Sequence, residues 1–324
     1  QRFLSLDDAL FSCSYQSNDV EYKREAFTSY PDKVLIYKIS SNKKASISFK
    51  VSFNSFCDGI MKHDDGIVFE RKTDIEYIDN HIKINGKLFY YNVEYAADLK
   101  VDISGGSVSC LSDCIEVKNA NSAVIYFSCK TNYILSSDVF LENDIKKKTK
   151  HNPNLYNEVF DHIEAVSAHS FDELFDRHLN DYHTLYKRVE FNLSNSDENV
   201  DTSLLLENYR KDNKSLYLES LLFQFGRYLL ISSSRKGALP ANLQGVWNAY
   251  KSSPWSCGYW HNINLQMNYW GCWSANLSDM FESYIDYALA YFPKCHEHAD
   301  EYIQKLYPEK YVEMAFEIMP IGEY

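Results

Sequence analysis

A change of hydropathy period near residue 143 constrains this 324-residue chain more than any other feature. Before it, polar and apolar residues alternate. Ser46, Ser48, Lys50 and Ser52 interleave with Ile47, Phe49, Val51 and Phe53, the pattern of a strand buried on one face. Val34-Leu35-Ile36-Tyr37 precedes it, Ala123-Val124-Ile125-Tyr126-Phe127 reads as a buried strand, and Leu99, Val101 and Ile103 alternate again. Asn85-Gly86 predicts a hairpin after Ile82 and Ile84, and Gly105-Gly106 predicts a second turn. Short strands separated by turn signals point to an antiparallel β-sandwich rather than a βαβ fold.

After residue 143 the period becomes helical. Residues 144–153 are polar and basic and read as a solvated linker. Residues 170–188 read as an amphipathic helix capped by Ser170, with Phe171, Leu174, Phe175, Leu179, Tyr182, Leu185 and Tyr186 on its apolar side. His178 and His183 on this helix are expected at the surface. From 216 to 231, 11 of 16 residues are apolar or aromatic, which predicts a helix buried between other helices. Helical patterns continue over 278–292 and 296–306, separated by a break at Pro293. The chain therefore reads as α+β and multidomain: a β-sandwich over 1–143, a linker with a helix over 144–204, and a helical domain over 205–324.

Composition excludes several classes. No apolar run approaches the roughly 20 residues of a membrane-spanning helix, so membrane insertion is not expected. A formal net charge of −12, from 33 basic and 45 acidic residues, disfavours a nucleic-acid binder. Of eight cysteines only Cys110 and Cys114 are closely spaced, and no second pair follows at zinc-ligand spacing, so no metal is expected. Three sequons begin at Asn192, Asn213 and Asn276 and lean toward a secreted or endomembrane location, although Asn276 also suits a helix N-cap. Gln1 stands where an initiator Met is absent, as after removal of a leader or in a piece of something longer.

The segment richest in chemistry lies between the buried helix and the later helices. It holds Leu239-Pro240-Ala241-Asn242-Leu243-Gln244-Gly245-Val246-Trp247-Asn248, then Tyr259-Trp260-His261-Asn262-Ile263-Asn264-Leu265-Gln266-Met267-Asn268-Tyr269-Trp270. Ring faces for stacking, together with amides that donate and accept, are what a neutral, hydroxyl-rich ligand requires. Gln244, Trp247 and Trp260 are the expected sugar contacts. Asn262 and Asn264, two residues apart in a strand-like loop, would present both amides on one side.

Residues 239–248 with 262–270 closely resemble glycoside hydrolase family 95, the inverting α-L-fucosidases. The resemblance extends to Tyr22-Lys23-Arg24-Glu25-Ala26-Phe27 with Ser29-Tyr30-Pro31-Asp32, and to residues 223–235, and covers about 1–306. It implies an N-terminal β-sandwich, a helical linker and then the first helices of an (α/α)6 barrel. It also implies hydrolysis of terminal α-L-fucose, typically α-1,2-linked, from glycans, without cofactor. Asn262 and Asn264 match the family's water-orienting asparagines, and His261 lies where the family carries a sugar-contacting His. The family's acid, a Glu, and base, an Asp, match nothing here and are expected beyond Tyr324. Glu313, Glu317 and Glu323 in the divergent tail are not assigned these roles. Two alternatives stand beside this reading: an α-L-galactosidase-like relative, and a truncated, non-catalytic carbohydrate-binding protein.

Overall fold

A computed structural model describes residues 1–308 other than 56, 57, 63–65, 67, 89, 90, 195–199, 213, 249, 251 and 252. The tail 309–324, with Glu313, Glu317 and Glu323, and Asn213 of the second sequon therefore lie outside the described residues. The first strands are β1 (Arg2–Ser5), β2 (Leu10–Ser17), β3 (Val20–Ser29), β4 (Val34–Ser41), β5 (Ile47–Val51) and β6 (Gly59–Lys62). They are followed by β7 (Val68–Ile78), β8 (His81–Leu88), β9 (Val93–Ser104), β10 (Ser107–Cys110), β11 (Ile115–Ala120) and β12 (Ser122–Thr131). The helices are α1 (Ser137–Leu141), α2 (Leu155–Ser167), α3 (Phe171–Tyr186), α4 (Thr202–Asp212), α5 (Leu216–Ser233), α6 (Asn264–Tyr269) and α7 (Glu282–Leu306). No described helix is long and apolar enough to cross a membrane.

The chain divides into two compact units within α3. One holds Gln1–Ser5 and Ala9–Asp181, the other Leu6–Asp8 and Tyr182–Tyr324. The first is the antiparallel sandwich that the alternating segments imply. Nine strands run in the order β1-β2-β3-β4-β12-β9-β8-β7-β6, and three in the order β10-β11-β5. Ile82 and Ile84 of β8 and Val101 of β9 pack with Ile47, Ile115 and Val117 of the smaller sheet. Residues of opposite parity on the large sheet, Phe27, Val34, Ile36 and Tyr126, pack with Ile163 and Val166 of α2 and Leu174 of α3. Tyr37 and Ile39 of β4 pack with the first of these groups and Val34 and Ile36 with the second, whereas Leu35 is exposed.

Polar groups fasten α2 to the sheet. His81 Nδ1 lies 2.8 Å from Asp98 Oδ2, and its Nε2 lies 3.1 Å from Glu164 Oε1. Lys100 donates to the same Glu164 oxygen at 2.6 Å, and this bond holds the carboxyl below its ordinary range. A capping box starts α3: Ser170 N donates to Glu173 Oε2 at 2.8 Å, and Glu173 N donates to Ser170 Oγ at 3.2 Å.

Five local expectations are corrected. The hairpin falls at Asp79-Asn80, between Ile78 and its cross-strand partner His81, whereas Asn85-Gly86 lies inside β8. Gly86 serves packing: a Cβ there would stand 2.0 Å from Cζ of Tyr95, whose ring crosses it. His178 is buried, not at the surface, with its ring 4.9 Å from that of Phe27 and 6.1 Å from that of Phe175. Pro293 does not break α7; the proline removes one backbone donor, but the helix continues through it. Asn276 is no cap, since it has φ +53 and Leu277 precedes the next helical turn.

The fifth correction concerns α5. Leu218, Ser220, Arg227 and Ile231 are buried, but Leu222 is 68% exposed, and Leu216 and Phe225 are exposed as well. Among the described residues other helices therefore cover one side of α5 only. Arg227 organises that side. Its Nη2 donates to Leu185 O at 3.0 Å, Nη1 to Tyr186 O at 2.9 Å, and Nε to Ala275 O at 3.2 Å. A buried guanidinium is tolerated here because carbonyl groups take up its donors.

Candidate active site

The amide-rich segment leaves the end of α5 and returns as α6. Its conformation is set by hydrogen bonds to α6 and across the loop. Ala241 N donates to Tyr269 Oη at 2.8 Å, and that hydroxyl lies 2.9 Å from Ser234 Oγ. Asn268 Nδ2 donates to Asn242 O at 2.8 Å and to Ala241 O at 3.2 Å. Leu243 N donates to Gly258 O at 3.2 Å and ties the two halves of the loop together. Asn268 is thus a loop tie.

Between the halves the backbone is unusual. Trp255, Ser256, Cys257 and Trp260 have φ of +58, +55, +54 and +50, sparsely populated for residues with a Cβ. The rings of Trp255 and Trp260 meet edge to face with centroids 5.9 Å apart. A Cβ at Gly258 would stand 2.7 Å from Trp260 Nε1, so glycine lets the indole fold back over the chain.

Each sequence-expected residue has a definite place. Gln244 is half-buried, and its Oε1 accepts from Ser253 Oγ at 2.8 Å. Trp247 is exposed and Trp260 half-buried. Asn262 is exposed in the turn before α6, and half-buried Asn264 is the first residue of that helix. The strand-like geometry expected for the pair is therefore replaced by a helix start, because Ile263 (φ −161°, ψ −38°) turns the chain. Neither amide hydrogen-bonds to a described residue.

His261 is buried against a tyrosine stripe on α7. Its ring stacks on Tyr287 at 5.1 Å and 13° and lies 5.4 Å from Tyr291 and 6.3 Å from Tyr284. Gln266 Nε2 donates to the His261 carbonyl, but neither ring nitrogen has a partner among the described residues. Burial pushes the imidazole pKa down, so His261 favours the neutral form. The stripe escaped the sequence reading, although Tyr284, Tyr287 and Tyr291 recur at i, i+3 and i+7.

From residue 220 to 278 the chain contains no Asp or Glu. This segment can stack on a sugar, bond its hydroxyls and hold a water, but it cannot transfer a proton as a carboxyl does. No three His, Cys, Asp or Glu side chains among the described residues are grouped to hold a metal.

This chain, an antiparallel sandwich followed by helices that carry an amide and aromatic loop, is similar to glycoside hydrolases. Residues 170–309 match the glycosyl hydrolase family 95 catalytic domain, and residues 1–135 match the glycosyl hydrolase family 65 N-terminal domain. Over residues 170–309 the chain is thus similar to the catalytic domain of glycosyl hydrolase family 95. It is 34% identical over 310 residues to alpha-L-fucosidase 2 of Arabidopsis thaliana, covering 90% of this chain and 35% of that protein. It is 30% identical over 292 residues to probable alpha-fucosidase A of Aspergillus niger, covering 87% and 34%. The chain thus spans about a third of the length of these curated relatives. A putative kojibiose phosphorylase from human microbiome shares the fold, with a TM-score of 0.55 and 12% identity over 94% of this chain and 37% of that one.

Proposed function

We propose that the protein carrying this chain hydrolyses terminal α-L-fucose from glycans, typically at α-1,2 linkages, with inversion at the anomeric carbon. The observation that carries this reading is the buttressed loop 239–270, within a match to relatives named alpha-fucosidases over nine-tenths of the chain. Inversion needs an acid for the leaving oxygen and a base for a water on the opposite face, with carboxyls about 6.5–9.5 Å apart. In this scheme Asn262 and Asn264 hold the water through their carbonyl oxygens, while His261, Gln244, Trp247 and Trp260 contact the sugar. A Glu acid and an Asp base come from outside residues 220–278.

The reading is tested with an aryl α-L-fucoside and an aryl α-L-galactoside, with NMR following the anomer first released. We expect fucose as its β-anomer. Asn264→Ala should lower kcat by about 10²-fold with little change in KM, because water placement matters mainly in the transition state. An unchanged kcat would assign Asn264 to structure instead. Faster release of galactose would favour the α-L-galactoside reading.

The lack of carboxylates in the loop favours a second reading, carbohydrate binding without turnover. Sugar binding in the absence of any release would select it. Passage through the secretory route is proposed on the exposed sequon residues Asn192 and Asn276. Endoglycosidase treatment of the native protein should then lower its mass, and an unshifted mass would reject that route.

A further inference from the structure

We infer that Tyr269 is a positioning residue, whose hydroxyl clamps the loop 239–245 to α6 so that Gln244 and Asn264 are presented together. This rests on the proposal that the loop binds a sugar. Tyr269 is fully buried, yet its hydroxyl reaches three other segments. It belongs to α6, accepts from Ala241 N at 2.8 Å, lies 2.9 Å from Ser234 Oγ at the end of α5, and lies 3.4 Å from Ser283 Oγ on α7. A phenol carries one proton and can accept as well. Because Ala241 N–H donates, the Tyr269 proton is left for a serine, and Ser234 is the nearer. Ser283 already donates to Met280 O at 3.0 Å. The hydroxyl is thus used in both roles, and Ala241, itself buried, has its N–H satisfied there. Asn268, one residue earlier, fixes the carbonyls of Ala241 and Asn242. Loop backbone and helix are therefore joined through donors and acceptors from consecutive side chains. Gln244 follows three residues after the clamp on the loop, and Asn264 precedes it by five on the helix.

Tyr269→Phe tests this, because it removes one oxygen and keeps the ring against Phe281 and Tyr284, both with centroids at 5.9 Å. Hydrogen exchange and L-fucose binding are measured on the full chain. We expect exchange over 239–245 to quicken about tenfold or more while the sandwich strands stay protected, and L-fucose affinity to fall about tenfold. Unchanged exchange over 239–245, or unchanged affinity despite quicker exchange, overturns the inference. If the phenylalanine variant does not fold, native-state exchange of the Ala241 amide in the unaltered chain decides: protection equal to that of α6 supports the clamp, and free exchange overturns it. A wild-type chain that binds no L-fucose counts against the sugar-binding reading, and the exchange comparison then decides the clamp by itself.

Discussion

Gly86, Arg227 and His261 each pose a different physical problem at the scale of one residue. Gly86 leaves room for the Tyr95 ring, so Gly86→Val must displace that ring or the strand. A loss of roughly 1–3 kcal/mol is expected in urea titrations, as for overpacked cores. Arg227→Met leaves the carbonyls of Leu185, Tyr186 and Ala275 without that donor. The Leu185 carbonyl keeps the Arg188 N–H, so with two carbonyls orphaned at about 1–3 kcal/mol each this variant should lose at least ~2 kcal/mol in the same titration. His261 links stability to pH. Its folded pKa lies below the ordinary 6.5, so near pH 7 and above both states hold a neutral ring and nothing is lost. As pH falls below 6.5 toward the folded pKa, the unfolded chain takes up the proton first and stability drops. His261→Phe should therefore flatten the fall in melting temperature between pH 7 and pH 5. Equal slopes in the two proteins would show that the ring is solvated.

At the scale of elements, local chemistry and distant packing divide the work. The start of α3 is local, since Ser170 and Glu173 satisfy each other's backbone donors within one turn. Ser170→Ala should cost about 1 kcal/mol, read as a shift in denaturation midpoint with unchanged slope. That start was legible in the sequence for the same reason. The turn before β8 was not. Asn-Gly is a hairpin signal only where both residues take positive φ, yet the chain turns at Asp79, with φ +53, and Gly86 makes room for the ring of Tyr95, its partner on the neighbouring strand. His178 was misplaced similarly. Its helical position is readable, but the aromatic rings of Phe27 and Phe175 that make the position buried come partly from β3. The candidate site was legible as a group of residue types in 239–270; its geometry was not, because Ile263 turns the expected strand into a helix start.

At the scale of the whole molecule, each unit has buried residues of its own, Ile47, Ile82 and Ile115 in one and Leu265, Tyr269 and Leu277 in the other. We expect calorimetry to resolve two transitions. Gly86→Val should lower one and Arg227→Met the other, whereas a single transition moved by both would mean that the units unfold together. The sequence by itself determined the antiparallel sandwich, the change to helices and the resemblance carried by 239–270, since hydropathy period and a short run of amides and aromatics act over neighbouring residues. Only the tertiary structure decided that Tyr269 clamps the loop, that Arg227 collects carbonyls from separate segments and that His261 lies against α7. Those roles depend on groups far apart in the chain meeting where water is largely excluded, and no local pattern encodes which of them meet.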